Sequence, residues 1–152
     1  QVKSDTPAKI VEIEMGDKTG ANKFKVLDNK VFVRSTVSFN GVGQAYICES
    51  KGGFDNIFGY ADINTQSAVP IDFTKNSVMG IVGQPTQYPT TFTVKSIYSS
   101  TEGEVIRIQE NQEPNRSTNT IIPHILLEIP KSYGIKFVVY IDMKQVLVVD
   151  QN

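Results

Sequence analysis

The chain has 152 residues and a mass of 16.8 kDa, enough for one hydrophobic core, which argues against a multidomain enzyme. Fifteen Lys+Arg against sixteen Asp+Glu leave a formal charge of -1, without the cationic excess that a phosphate backbone or an anionic lipid surface rewards. One cysteine, one histidine and no tryptophan exclude an intrachain disulfide and a multi-His or multi-Cys metal cage.

The first seven residues, Gln-Val-Lys-Ser-Asp-Thr-Pro, are polar and aperiodic, so residues 1–7 read as a flexible arm and 8–152 as a single β-rich domain. Val11, Ile13 and Met15 alternate with Glu12 and Glu14, the pattern of a half-buried strand. Residues 23–37 read as a hairpin with a short turn at Asp28-Asn29. Asn40-Gly41 is a second turn signal, expected to join Val37-Phe39 to Ala45, Tyr46 and Ile47. After Gly52-Gly53 the period changes. Phe54, Ile57, Phe58 and Ala61 stand at i, i+3, i+4 and i+7, predicting a short helix over residues 54–61 that packing must hold.

Residues 77–82 are apolar on both alternating sets, which predicts a central strand covered on both faces. Residues 90–98 predict a strand with Phe92, Val94, Ser96 and Tyr98 on one side and Thr91, Thr93, Lys95 and Ile97 on the other. Its hairpin partner, residues 104–109, points Ile106 and Ile108 one way and Val105 and Arg107 the other. Residues 110–120 contain no apolar side chain and must lie on the surface. Ile125, Leu127 and Ile129 face inward up to Pro130, and Ile135, Phe137, Val139 and Ile141 alternate with Lys136, Val138 and Tyr140. Residues 146–149 close the chain after a turn near Met143-Lys144. The expected fold is α+β and β-rich: a mainly antiparallel sheet of nine or ten strands, as a sandwich or partly open barrel, packed with one short helix.

The chemistry on offer is sparse. Cys48 continues a strand, where a lone cysteine is a small core residue, and no nucleophile turn surrounds it. His124 falls on the phase opposite Ile125, Leu127 and Ile129, as an exposed or half-exposed sheet residue. Asp72, between Ile71 and Phe73 and before Thr74-Lys75-Asn76, reads as a structural corner that caps backbone N–H groups. Gly41, Gly43, Gly52 and Gly53 match neither dinucleotide nor Walker spacing. Asn115-Arg116-Ser117 is an N-glycosylation triplet in the polar loop. No catalytic, cofactor or metal residue is singled out, and no stretch approaches the roughly 18 apolar residues of a membrane-spanning helix.

Residues 54–61 (FDNIFGYA), 69–82 (VPIDFTKNSVMGIV) and 91–97 (TFTVKSI), followed by Ile129-Pro130-Lys131 and the strand after it, resemble the PrcB C-terminal domain family over roughly residues 48–140. The shared order is a short helix carrying Phe and Gly, a Pro-x-Asp-Phe corner, a buried strand and a hairpin. In place of that family's Gly-rich entry to the hairpin stands Gln84-Pro85-Thr86-Gln87-Tyr88-Pro89. The resemblance implies an exported bacterial protein, periplasmic or at the cell surface, frequently a lipoprotein anchored upstream, associated with a cell-surface protease complex in the namesake case and of unassigned function in most others. It carries over no catalytic residue. A start at Gln1 fits either a processed, exported chain or a trimmed one.

The expected function is therefore a non-enzymatic protein-binding surface that stabilises or regulates an envelope protease or other partner. The contacts are expected on two exposed loops, through Gln84, Gln87, Tyr88, Asn115 and Arg116. The alternatives are a carbohydrate- or peptide-binding module built on surface tyrosines, and a small hydrolase using Cys48 with His124 or an acid pair.

Overall fold

The computed structural model describes residues 24–27, 31–35, 37, 41–60, 71–131 and 136–151. The expected N-terminal arm, the strand around Val11, Ile13 and Met15, and Ala61 and Ile135 lie outside these. The described chain forms ten strands and one helix. They are β1 (Lys25–Leu27), β2 (Val31–Val33), β3 (Gly43–Cys48), α1 (Lys51–Ile57), β4 (Phe58–Tyr60), β5 (Asn76–Gly83), β6 (Thr90–Ser100), β7 (Gly103–Gln112), β8 (His124–Pro130), β9 (Phe137–Ile141) and β10 (Lys144–Gln151).

Eight strands make one mixed sheet in the order β1-β8-β5-β3-β10-β9-β7-β6, and β2 pairs with β4 in a second, two-stranded sheet. The large sheet curls into a half-barrel, so that β6 approaches β8 across the curl. Most neighbouring pairs are antiparallel, but β3 runs parallel to β10 and β7 parallel to β9. Parallel neighbours need a crossover. Here strand β8 of the opposite arm supplies the crossover between β7 and β9. Strand β10 joins the two arms: its first half pairs with β9, Val146 opposite Val139, and its second half with β3, Leu147 opposite Gln44. Where it changes partner a groove of about 630 Å³ opens beside Ile47, Phe137 and Val148.

Period-2 alternation sorts the side chains into two cores. Inside the curl, Met79 and Ile81 meet Ile125, Leu127 and Ile129 from β8, Ile106 and Ile108 from β7, and Val139 and Ile141 from β9. On the outer face, Tyr46, Cys48, Val78, Val82 and Leu126 pack against Phe54, Ile57 and Phe58 and against Val31 and Val33. Strand β5, flanked by β8 and β3, is thus buried on both faces, in agreement with its doubly apolar sequence.

Three local expectations are corrected. Residues 23–37 are not a hairpin: β1 pairs with β8, Val26 opposite Leu127, while β2 pairs with β4, Phe32 opposite Gly59. Nor does β3 take the segment before Gly41 as its partner: residues 38–40 lie outside the described ones, Gly41 occupies a turn at φ 59, and both edges of β3 are taken, by β5 and β10. The helix begins three residues before its expected start, because the Ser50 side chain accepts from Gly53 N at 3.0 Å and caps it. It ends at Ile57 because Phe58, Gly59 and Tyr60 pair with β2. Phe54, Ile57 and Phe58 nonetheless stay on the buried side.

The β6 and β7 hairpin forms and is longer than expected, β7 running through Glu110 to Gln112. A register shift between Val94 and Ser96 resets the alternation of β6. Ile97 therefore enters the inner core with Phe92 and Val94 instead of facing away from them.

Candidate functional site

At one end of the half-barrel, the mouth, lie the loop of residues 84–89 between β5 and β6 and the loop of residues 113–123 between β7 and β8. Both are short of apolar side chains, yet they are ordered by each other. Thr86 and Ile121 exchange two backbone hydrogen bonds of 2.8 Å, Ser117 N donates to Gln87 O at 2.6 Å, and Glu113 N donates to Pro89 O at 2.8 Å. Arg116 Nε donates to Gln87 Oε1 at 2.7 Å. Short polar side chains close the turns locally, with Tyr88 N donating to Thr86 Oγ1 and Asn119 N to Ser117 Oγ, each at 3.1 Å.

Four of the five contact residues singled out above, Gln84, Tyr88, Asn115 and Arg116, are exposed; Gln87 is half-buried because it holds the two loops together. Gln84 donates through Nε2 to Gly41 O and so ties a third segment to this surface. The two loops, separate in sequence, are one surface in space.

Below the loops the mouth narrows to a cleft of about 280 Å³ between Gly83 to Thr86 on one side and Glu110 and Gln112 on the other, floored by Phe92, Pro123 and Ile141. A shallower depression of about 560 Å³ shares Glu110 and Gln112 and extends past Glu113 and Ile121. The end of β7 is held in place by Asp142, at φ 56, whose Oδ1 accepts from Glu110 N at 3.0 Å. Phe92 and Ile141 had no functional reading in the sequence, and Glu110 figured only as the first residue of the exposed contact loop expected over residues 110–120. The available signal was the phase of Ile106 and Ile108, which continues into Glu110, but the polar run there reads as a loop.

Asp72 lies elsewhere, beyond the opposite end of β5. Its Oδ1 accepts from Thr74 N at 3.0 Å and from the Thr74 hydroxyl, and its carbonyl accepts from Lys75 N and Asn76 N. The Thr74 hydroxyl, then the Thr74 N–H, hold the Asp72 carboxyl below the usual carboxylate range.

Cys48 and His124 do not converge. Cys48 is opposite Val78 and His124 opposite Val82 on the two flanks of β5, about 13 Å apart along the strands and two strand spacings across. Cys48 is fully buried and burial pushes its thiol up to about 12, so it carries no thiolate near neutrality. His124 is half-buried, with Nδ1 3.1 Å from Ile122 O and its ring 5.9 Å from that of Phe58. The described tyrosines are dispersed. Tyr46 and Tyr60 belong to the outer core, Tyr98 and Tyr140 flank Arg107, and Tyr88 stands at the mouth; Tyr133 lies outside the described residues.

Among the described residues, no group of three or more His, Cys, Asp or Glu could hold a metal ion, and no helix is long and apolar enough to cross a membrane. No protein-family model, curated protein or solved structure matches the chain, so the likeness to the PrcB C-terminal domain rests on the residues quoted for it.

Proposed function

We propose that the chain is a protein-binding module that engages its partner through the mouth surface, with Gln84, Gln87, Tyr88, Asn115 and Arg116 as first contacts and no covalent chemistry of its own. The observation that carries this reading is the locking of two polar loops into one ordered platform by the Thr86 and Ile121 exchange and the bond from Arg116 to Gln87. Loops ordered before binding spare the association most of the cost of ordering them. Polar, exposed side chains over a half-buried cleft resemble the adaptable rim of a non-obligate interface rather than a domain core. The resemblance to the PrcB C-terminal domain supports a partner in the bacterial envelope, a protease complex foremost, and an exported chain.

Site-specific photo-crosslinking in the cells that make the protein tests this reading. A crosslinking residue at Tyr88 or Asn115, both exposed, is expected to give one stoichiometric adduct. The same residue at Thr101, exposed in the turn between β6 and β7 at the far end, is expected to give none. Equal yields at all three positions, or no adduct at the mouth, would sink the proposal.

A further inference from the structure

Among the described residues, Glu110 is the one ionisable group lining the mouth cleft. It lies two residues beyond Ile108 and four beyond Ile106, on the phase that enters the inner core. Its cross-strand partner is Phe92, which packs on that same core. The carboxylate therefore continues the inner face of the barrel at the point where the barrel opens. It is half-buried, and among the described residues no hydrogen-bond donor or basic side chain pairs with it. The adjoining depression adds Glu113 and no basic residue. Arg116, the basic residue of the two loops, is engaged with Gln87. Its negative charge in the cleft wall is open to neutralisation by a cation that enters the cleft.

The walls define what kind of cation. Phe92, Pro123 and Ile141 offer apolar surface, while Gln84 and Thr86 offer neutral polar groups at the rim. A few apolar side chains and neutral polar groups beside one carboxylate match a basic side chain, whose methylene stem lies along apolar surface while its head group pairs with an anion. At about 280 Å³ the cleft lies just under the roughly 300–1,000 Å³ of small-molecule pockets, the size for one side chain.

We propose that the mouth cleft receives a single Arg or Lys side chain of the protein partner, with Glu110 pairing its charged head and Phe92, Pro123 and Ile141 holding its stem. This rests on the reading of the mouth as a protein-binding surface and adds the chemistry of the residue that anchors there.

Amide-resolved NMR titration of the whole chain with N-acetyl-argininamide and N-acetyl-lysinamide tests the cleft without any partner. N-acetyl-norleucinamide serves as a neutral probe of similar shape. The basic probes are expected to shift the amides of Gly83, Phe92, Glu110 and Ile141 saturably, with affinity near 1 mM, about −4 kcal/mol. Glu110→Gln is expected to weaken them about tenfold at unchanged melting temperature, since the carboxylate has no partner to lose. Equal shifts from the neutral probe, no saturable shift, or full affinity in Glu110→Gln would overturn the assignment.

Crosslinking then separates the two proposals. Glu110→Lys is expected to abolish the adduct formed from Tyr88. An adduct that persists undiminished refutes the basic anchor while leaving the mouth as the partner surface, whereas no adduct even from the wild-type chain removes that surface itself.

Discussion

In β5 every residue from Ser77 to Gly83 is buried, whereas in β6 residues 91–95 alternate between exposed and half-buried and the last two residues lie in solvent. Both belong to one sheet, and what separates them is cover. The outer face of β5 carries α1 and the β2 and β4 pair, with Phe58 pressed so close to Gly80 that a Cβ there would stand 2.5 Å from the ring. Strand β6 ends the sheet; it sends Phe92, Val94 and Ile97 inward and shows Thr91, Thr93 and Lys95 to water. Between these extremes, β7 buries Arg107 on the outer phase by giving its head a hydrogen bond to Tyr98 Oη at 3.1 Å and the face of Tyr140 at 4.4 Å. A doubly apolar strand thus reports a second layer, and an alternating one reports a single layer.

The sharpest way to break this contrast is Phe58→Ala, which removes the ring joining the second layer to β5. It is expected to cost about 3–5 kcal/mol by denaturant unfolding. A loss of less than about 1 kcal/mol would mean that the second layer contributes little to the fold.

Gly80→Ala is expected to cost about 1–3 kcal/mol by overpacking against the same ring. Most of that cost should vanish in the Phe58→Ala background, because the two residues share one contact. Additive losses in the double-mutant cycle would show that Phe58 does not rest on Gly80.

Cys48 probes the same layer through pH. Burial raises its thiol from an ordinary value of 9.0 to about 12, so the folded state holds that proton more tightly than the unfolded state. The stabilisation is complete below pH 9 and is lost as pH rises from 9 toward 12, at no more than about 1.4 kcal/mol per pH unit. Unfolding curves across that range are expected to fall more steeply for the wild type than for Cys48→Ala; parallel curves would place the thiol in solvent contact.

On β6 the smallest effect is expected. Thr93→Ala deletes an exposed hydroxyl that accepts from Asn111 Nδ2 at 2.9 Å, and stability should stay within about 0.5 kcal/mol. A larger loss would mean that this edge is more constrained than its exposure indicates.

How legible these features were in the sequence depended on how local their causes are. The inward phases of β8 and β9, the double burial of β5 and the surface position of residues 113–120 follow from which side chains tolerate water; of the surface loop expected over residues 110–120, the first three residues instead extend β7. The hairpins expected over residues 23–37 and 37–47 failed because turn signals assume that neighbours in sequence pair. Here Val26 meets Leu127, Phe32 meets Gly59, and Ala45 lies between Ile81 and Val148. The bulge after Val94 likewise could not be read from alternation, which it interrupts. At the mouth, exposure of Gln84 and Arg116 was legible; the joining of their loops through Thr86 and Ile121, and the turn of Glu110 into the cleft, were not.

The sequence by itself determined the class of fold: β-rich with a short helix, its buried and wetted faces, and two polar loops. Those features rest on side-chain solvation and backbone preference, which act over a few residues. Tertiary structure decided the pairing of strands, the parallel neighbours, the end of α1 at Ile57 and the assembly of the mouth. These depend on contacts between segments as far as 103 residues apart, whose free energy comes from burying two faces together. Glu110 shows the division plainly: its phase follows from Ile106 and Ile108, but the apolar walls that make a cleft around it arrive from β5, β6, β9 and the loop before β8.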